Sequence, residues 1–108
     1  MSSVNEWAAA ARSNPNPTRD EVLDEVARVF PDEDPSGVMA VLDEYGSEPY
    51  ERERERVQRA IVHLSKGDPD RLRKFTRAAK HDYRDVLFWA EYPESVDAER
   101  EDFNARFP

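Results

Sequence analysis

Cysteine is absent from this 108-residue chain. That excludes a disulfide framework, a thiolate metal centre and a thiol nucleophile, and it leaves the redox compartment open. Long apolar runs are missing too. No window approaches the roughly 18 apolar residues of a membrane span, and near the N-terminus there is only the alanine run Ala8 to Ala11, with no basic segment ahead of it. The expectation is a soluble cytoplasmic protein that does not engage a membrane. Large aliphatic side chains are scarce: Leu, Ile, Val and Phe together number 21, just under the share of about one fifth below which a highly charged chain tends to disorder. The net charge is −8. Two Trp, four Tyr and clear helical periodicity argue instead for a folded, polar protein with a small core. The length suits one domain, 1–108, and leaves no room for a two-domain enzyme.

No stretch alternates with period two, so the expected fold class is all-α, a compact bundle of five or six short helices. Proline and glycine mark the helix ends. A first helix is expected around Ser3 to Ser13, followed by a loop holding Pro15 and Pro17; residues 1–17 read as a loosely attached segment. Thr18 with Glu21 forms a capping box, in which the hydroxyl takes an orphan amide and the carboxylate reaches back. The helix behind it carries Val22, Leu23, Val26, Val29 and Phe30 on one stripe and stops at Pro31. Asp34 and Pro35 open a helix that ends at Gly46. Pro49 is expected to start the next, ending at Gly67, with Tyr50, Val57, Ile61 and Leu64 on its buried face, Val62 off that face. Asp68 and Pro69 open the last long stretch, apolar at Leu72, Phe75, Thr76, Ala79, Tyr83, Val86, Leu87 and Ala90. Asp82 and Asp85 are placed to cap a break near His81, which leaves one helix or two. The part from Tyr83 to Tyr92 is apolar over the widest arc and is expected at the centre of the bundle. A final amphipathic helix is expected from Val96 to Phe107. The two Asp-Pro openings lie 34 residues apart, a helical-hairpin spacing, but two units are fewer than such arrays need.

Within the second half of the chain, Asp82-Tyr83-Arg84-Asp85-Val86-Leu87, then Phe88, then Trp89-Ala90-Glu91-Tyr92-Pro93, resembles a family of small uncharacterised bacterial helical proteins that share a DYRDVLxWAEYP-type segment. The resemblance implies a small helical protein and carries no activity with it. Thirteen Arg against three Lys fit a bacterial chain from a high-GC genome.

Chemistry-bearing patterns are few. Asp32-Glu33-Asp34-Pro35-Ser36-Gly37 matches the first half of a calcium loop, with oxygen ligands at alternate positions and glycine at the sixth. The twelfth position is Asp43, too short to bind bidentately in the usual way, and Gly46 would cut the exit helix, so Asp34 is read as a helix cap. No metal and no cofactor are expected. His63 falls opposite the buried stripe of its helix and is expected in solvent. His81, beside Asp82 and one turn before Asp85, lacks the further ligands of a metal site, and as a catalytic dyad it lacks a nucleophile beyond Ser65 and Thr76, candidates by composition alone. No catalytic residue is assigned.

Charge distribution is the least random feature. Between Arg56 and Arg84 nine basic residues face three acids, so that segment carries +6 and the remainder −14. Arg73, Arg77, Lys80 and Arg84 follow spacings of 4, 3 and 4, a basic ridge that Phe88 extends. Nucleic acid is disfavoured as its partner, because a chain of charge −8 repels a polyanion at long range. Acidic helices of the same chain are nearer partners, and an acidic or apolar protein, a homo-oligomer included, comes next. The alternation Glu51-Arg52-Glu53-Arg54-Glu55-Arg56 sets opposite charges at i, i+3 but like charges at i, i+4, and is expected to be a solvated face. The reading is a non-enzymatic protein-binding module using a bipolar charged surface. A ligand-binding or hydrolytic site near His81 and Asp82 is the alternative.

Overall fold

The computed structural model describes residues 3–92, with side chains from Glu6 onward, so the expected helix from Val96 to Phe107 lies outside the described residues. Five helices follow one another: α1 (Ser3–Ser13), α2 (Arg19–Val29), α3 (Pro35–Leu42), α4 (Arg54–Ser65) and α5 (Pro69–Glu91). There is no strand among the described residues, and the bundle is all-α. Its radius of gyration, 12.9 Å, is that of a compact chain of this length.

Local chemistry sets the starts. The Thr18 hydroxyl accepts from the Glu21 amide at 3.2 Å while the Glu21 carboxylate accepts from the Thr18 amide at 2.9 Å, which satisfies two orphan donors at once. Thr18→Ala is expected to lower stability by about 1 kcal/mol, read as a lower urea midpoint at unchanged slope; an unmoved midpoint would show that α2 is held by packing alone. Asp34 and Asp68 cap α3 and α5, each accepting the amide two residues on and each followed by Pro. At the far end of α4, Gly67 has φ +80, and a Cβ there would stand 3.0 Å from the Val29 carbonyl oxygen. Both the turn and the approach to α2 require glycine.

The start of α4 differs from expectation. Pro49 does not open it; the helix begins at Arg54, after Glu53 at φ +56. The reason is the Glu51 carboxylate, which turns into the loop and accepts from the amides of Gly46, Ser47 and Glu48 at 2.8, 3.1 and 3.3 Å. The buried Tyr45 hydroxyl donates to the Arg52 carbonyl at 2.6 Å. Held this way, residues 46–53 stay out of the helix and Tyr50 is 68% exposed instead of buried. Glu51 is buried, so the alternating charges are not one solvated face.

The centre of the bundle is α4, not the end of α5. Residues Val57 to Val62 are all buried, because α4 packs against α5 on one side and α2 on another. A helix covered from two sides has no single buried stripe, which explains why Val62 is inside. Around it lie Val22, Val26, Phe30, Val38, Leu42, Tyr45, Leu72, Phe75, Ala79 and Val86. Tyr83 and Trp89 pack against this core half-buried.

The question of one helix or two after Pro69 is resolved by Asp82. Its backbone is extended (φ −157°, ψ 102°) inside α5, and its carboxylate accepts from the Arg84 amide at 3.1 Å, the same cap that Asp34 and Asp68 make. The bend is sharp. Phe75 and Trp89 meet edge to face with ring centroids 6.2 Å apart, whereas fourteen residues of straight helix would separate their backbones by roughly 21 Å.

Candidate functional site

A helix face is convex, but α5 folds at Asp82 and presents a concave one. Across the bend lies a groove of about 490 Å³, formed by Lys74, Arg77, Ala78 and His81 before it, Asp82 at it, and Asp85 and Trp89 beyond. A smaller cleft of about 260 Å³ opens where the bend meets the loop before α4, with Tyr45, Tyr50 and Tyr83 around Glu51, Lys80 and Arg84. His81 and Asp82 border both.

The bend also divides the basic ridge, which spacing on a straight helix would have made continuous. Arg73 stays near its own helix start, 3.3 Å from Asp70. Lys80 crosses to the loop, donating to the Glu51 carboxylate at 2.9 Å and to the Glu44 carbonyl at 2.8 Å. Burial would push Glu51 up, but Lys80 and the amides of Gly46 and Glu48 outweigh it and hold the carboxyl below its ordinary value. Arg84 returns to Asp82, Nε and Nη2 meeting the two carboxylate oxygens at 3.0 and 3.1 Å, and holds that carboxyl low. Arg77 is exposed and makes no ion pair among the described residues. Phe88 is 38% exposed and lies 6.3 Å from the Tyr92 ring, nearly parallel to it. Pairing within the chain therefore takes Lys80 between elements and Arg73 and Arg84 locally.

Chemistry at His81 meets a different arrangement. Asp82 is engaged as a cap and by Arg84. The hydroxyls singled out by composition are elsewhere: Ser65 donates to the Val62 carbonyl at 2.6 Å and Thr76 to the Leu72 carbonyl at 2.8 Å, both buried. Neither lines a cleft at the bend. In the loop that matches half a calcium site, Asp34 is committed to the Ser36 amide and Asp43 to Arg19 and Gln58. Among the described residues no three acidic or histidine side chains gather as a metal site would need.

His63 is not in solvent. Its ring lies flat on Trp7 of α1, centroids 3.7 Å apart at 9°, while the Trp7 indole N–H donates to Glu25 of α2 at 2.8 Å. Burial, with Lys66 adding repulsion, Glu25 opposing and Arg28 adding more, pushes His63 down from 6.5 to about 4. The folded state thus prefers the neutral ring, so the stability this gives is full above about pH 6.5 and is lost as pH falls towards 4. His63→Phe keeps a ring on Trp7 and is expected to flatten the pH dependence of the urea midpoint across that window. Identical profiles for the two proteins would show that His63 does not titrate against the fold.

A polar cluster that composition did not signal joins α1, α4 and α5. Glu91 is wholly buried; Arg56 grips it with Nε and Nη2 at 3.0 and 2.6 Å. Arg59 approaches Glu91 at 3.7 Å and donates to the Ala11 carbonyl at 3.1 Å, and Arg12 donates to the Glu91 carbonyl. The first segment is thereby clasped to the bundle through Arg12, Ala11 and Trp7.

No family model, no curated protein and no solved structure matches this chain. No helix among the described residues is long and apolar enough to cross a membrane.

Proposed function

We propose that this protein is a non-enzymatic protein-binding module of the bacterial cytoplasm, and that its recognition surface is the face of α5 around the Asp82 bend. The observation that carries this reading is the groove itself: Arg77, exposed and without an ion pair among the described residues, lines a concave surface of about 490 Å³ together with Ala78 and Trp89. Such a surface suits a segment with a carboxylate for Arg77 and an apolar side chain for the floor, an anchor surrounded by charge. Phe88 and Arg73 are the chain neighbours of its lining residues Trp89 and Lys74, while Lys80 and Arg84 tie the bend to Glu51 and Asp82.

The test is capture from host cells with the wild-type chain and with Arg77→Glu, which alters an exposed side chain and leaves the fold intact. Proteins that bind this face are retained by the first, lost by the second, and released by salt. An identical set from both would reject the face. The smaller cleft favours a second reading, a small ligand between Tyr50, Tyr83 and His81. Its expected signature is amide shifts confined to residues 45–51 and 79–84 when small aromatic anions are added.

A further inference from the structure

Asn14-Pro15-Asn16-Pro17 joins α1 to α2. A residue that precedes proline is pushed out of the helical region towards extended backbone, and two such pairs in succession make a short, stiff connection. The chain nevertheless bends at Pro15 and Asn16, just before the buried Pro17, which brings α1 back onto its own bundle. The connection itself favours an extended hinge that carries α1 away.

The seat of α1 is built for this helix. The Trp7 ring lies flat on His63 of α4 and its indole N–H donates to Glu25 of α2. Arg59 of α4 donates to the Ala11 carbonyl, and Arg12 donates to the Glu91 carbonyl of α5. Ala8 and Ala11, one turn apart on the same side, are buried, because side chains this small let the helix approach closely. Every one of these contacts joins α1 to another element, so none requires that α1 belong to the same molecule. Among the described side chains α1 fully buries only those two alanines, and little apolar surface resists its departure. An empty seat, in turn, leaves the mostly buried Arg59 without the Ala11 carbonyl, a loss that another α1 restores. We infer that the partner for this seat is α1 of a second copy of this chain: two molecules exchange their first helices, and each Trp7 rests on the other's His63. Both hinges straighten and both seats are refilled, so the exchange is two-fold symmetric and closes at a dimer. The contacts of α1 are those of the monomer, and the balance is set by concentration and by the hinge. The groove at the α5 bend takes no part in it.

Size-exclusion chromatography of the wild-type chain, held at high concentration beforehand, is expected to give two species, one of 12.5 kDa and one of twice that mass. They should interconvert slowly, because α1 must leave its seat first. In a dimer refolded from equal amounts of isotope-labelled and unlabelled chain, an isotope-filtered NOE between the Trp7 indole and the His63 ring is expected, since after exchange the two rings belong to different copies. Pro15→Gly, at an exposed position, frees the hinge to fold back and is expected to lower the dimerisation constant by a factor of about 2 to 5 for each hinge. A chain that stays monomeric at every concentration overturns the exchange. So does a dimer without the filtered NOE, which is joined through some other surface. Species larger than a dimer overturn the two-fold closure, and a dimer fraction unchanged in Pro15→Gly overturns the hinge as its cause.

Discussion

Glu91→Ala is expected to destabilise the protein by about 3 to 5 kcal/mol, the cost of stripping one partner from a buried ion pair. The carboxylate has no exposure and is gripped at both oxygens by Arg56, with Arg59 at 3.7 Å. Removing it leaves the mostly buried Arg59 with the Ala11 carbonyl and no ion-pair partner among the described residues, while Arg56 keeps only Glu53, at 3.0 Å. Burial already pushes Arg59 down, with Glu91 opposing and Arg56 adding to it, so the loss falls on a strained group. The Nε of Arg59 has no hydrogen-bond partner to compensate. Replacing the pair by apolar residues, Arg56→Met with Glu91→Leu, is expected to recover much of the loss, because the desolvation of both ions disappears together. Urea unfolding of the three proteins measures this. A single-variant cost below about 1 kcal/mol would mean that water reaches the pair and that it behaves as a surface bridge.

Phe75→Ala is expected to cost a similar amount, about 3 to 5 kcal/mol, as a large side chain removed from a packed core. Phe75 is 2% exposed, and its ring is what the second half of α5 folds back onto through Trp89. The variant therefore tests more than a cavity. With the edge contact gone, Trp89 should gain solvent and its fluorescence should shift to the red. Phe88→Ala supplies the comparison: its ring is already exposed, and truncation should change stability by no more than roughly 0.5 kcal/mol. Equal effects at the two positions would contradict the assignment of Phe75 to the core and Phe88 to the surface.

The contrast between these two phenylalanines shows how far the chain could be read before its fold was known. Both are large, apolar and on the same stretch. Phe75 shares the phase of Leu72, Thr76 and Ala79, all buried, and periodicity places it inside. The same periodicity, carried through Asp82 as though the helix were straight, draws Arg73, Arg77, Lys80, Arg84 and Phe88 into one ridge. The Asp82 and Asp85 pair marked the break, but nothing local states how sharply the halves fold. His63 fails for a related reason: it is off the stripe of its own helix and is covered by Trp7, a residue 56 positions earlier.

By itself the sequence determined the all-α class, the Thr18, Asp34 and Asp68 caps and the glycine turn at Gly67; it ran the helix from Pro35 on to Gly46, whereas α3 ends at Leu42, and near His81 it left one helix or two open. The caps and the Gly67 turn depend on hydrogen bonds and backbone sterics within a few residues, so the information is present where it acts. Only the tertiary structure decided that α4 is the centre, that Glu51 pins its loop and delays the helix to Arg54, and that Arg56 finds Glu91 across 35 residues. It also decided that the α5 face becomes a groove. Those outcomes depend on which surfaces the helices bury together and on where a charge, once removed from water, finds its counterpart.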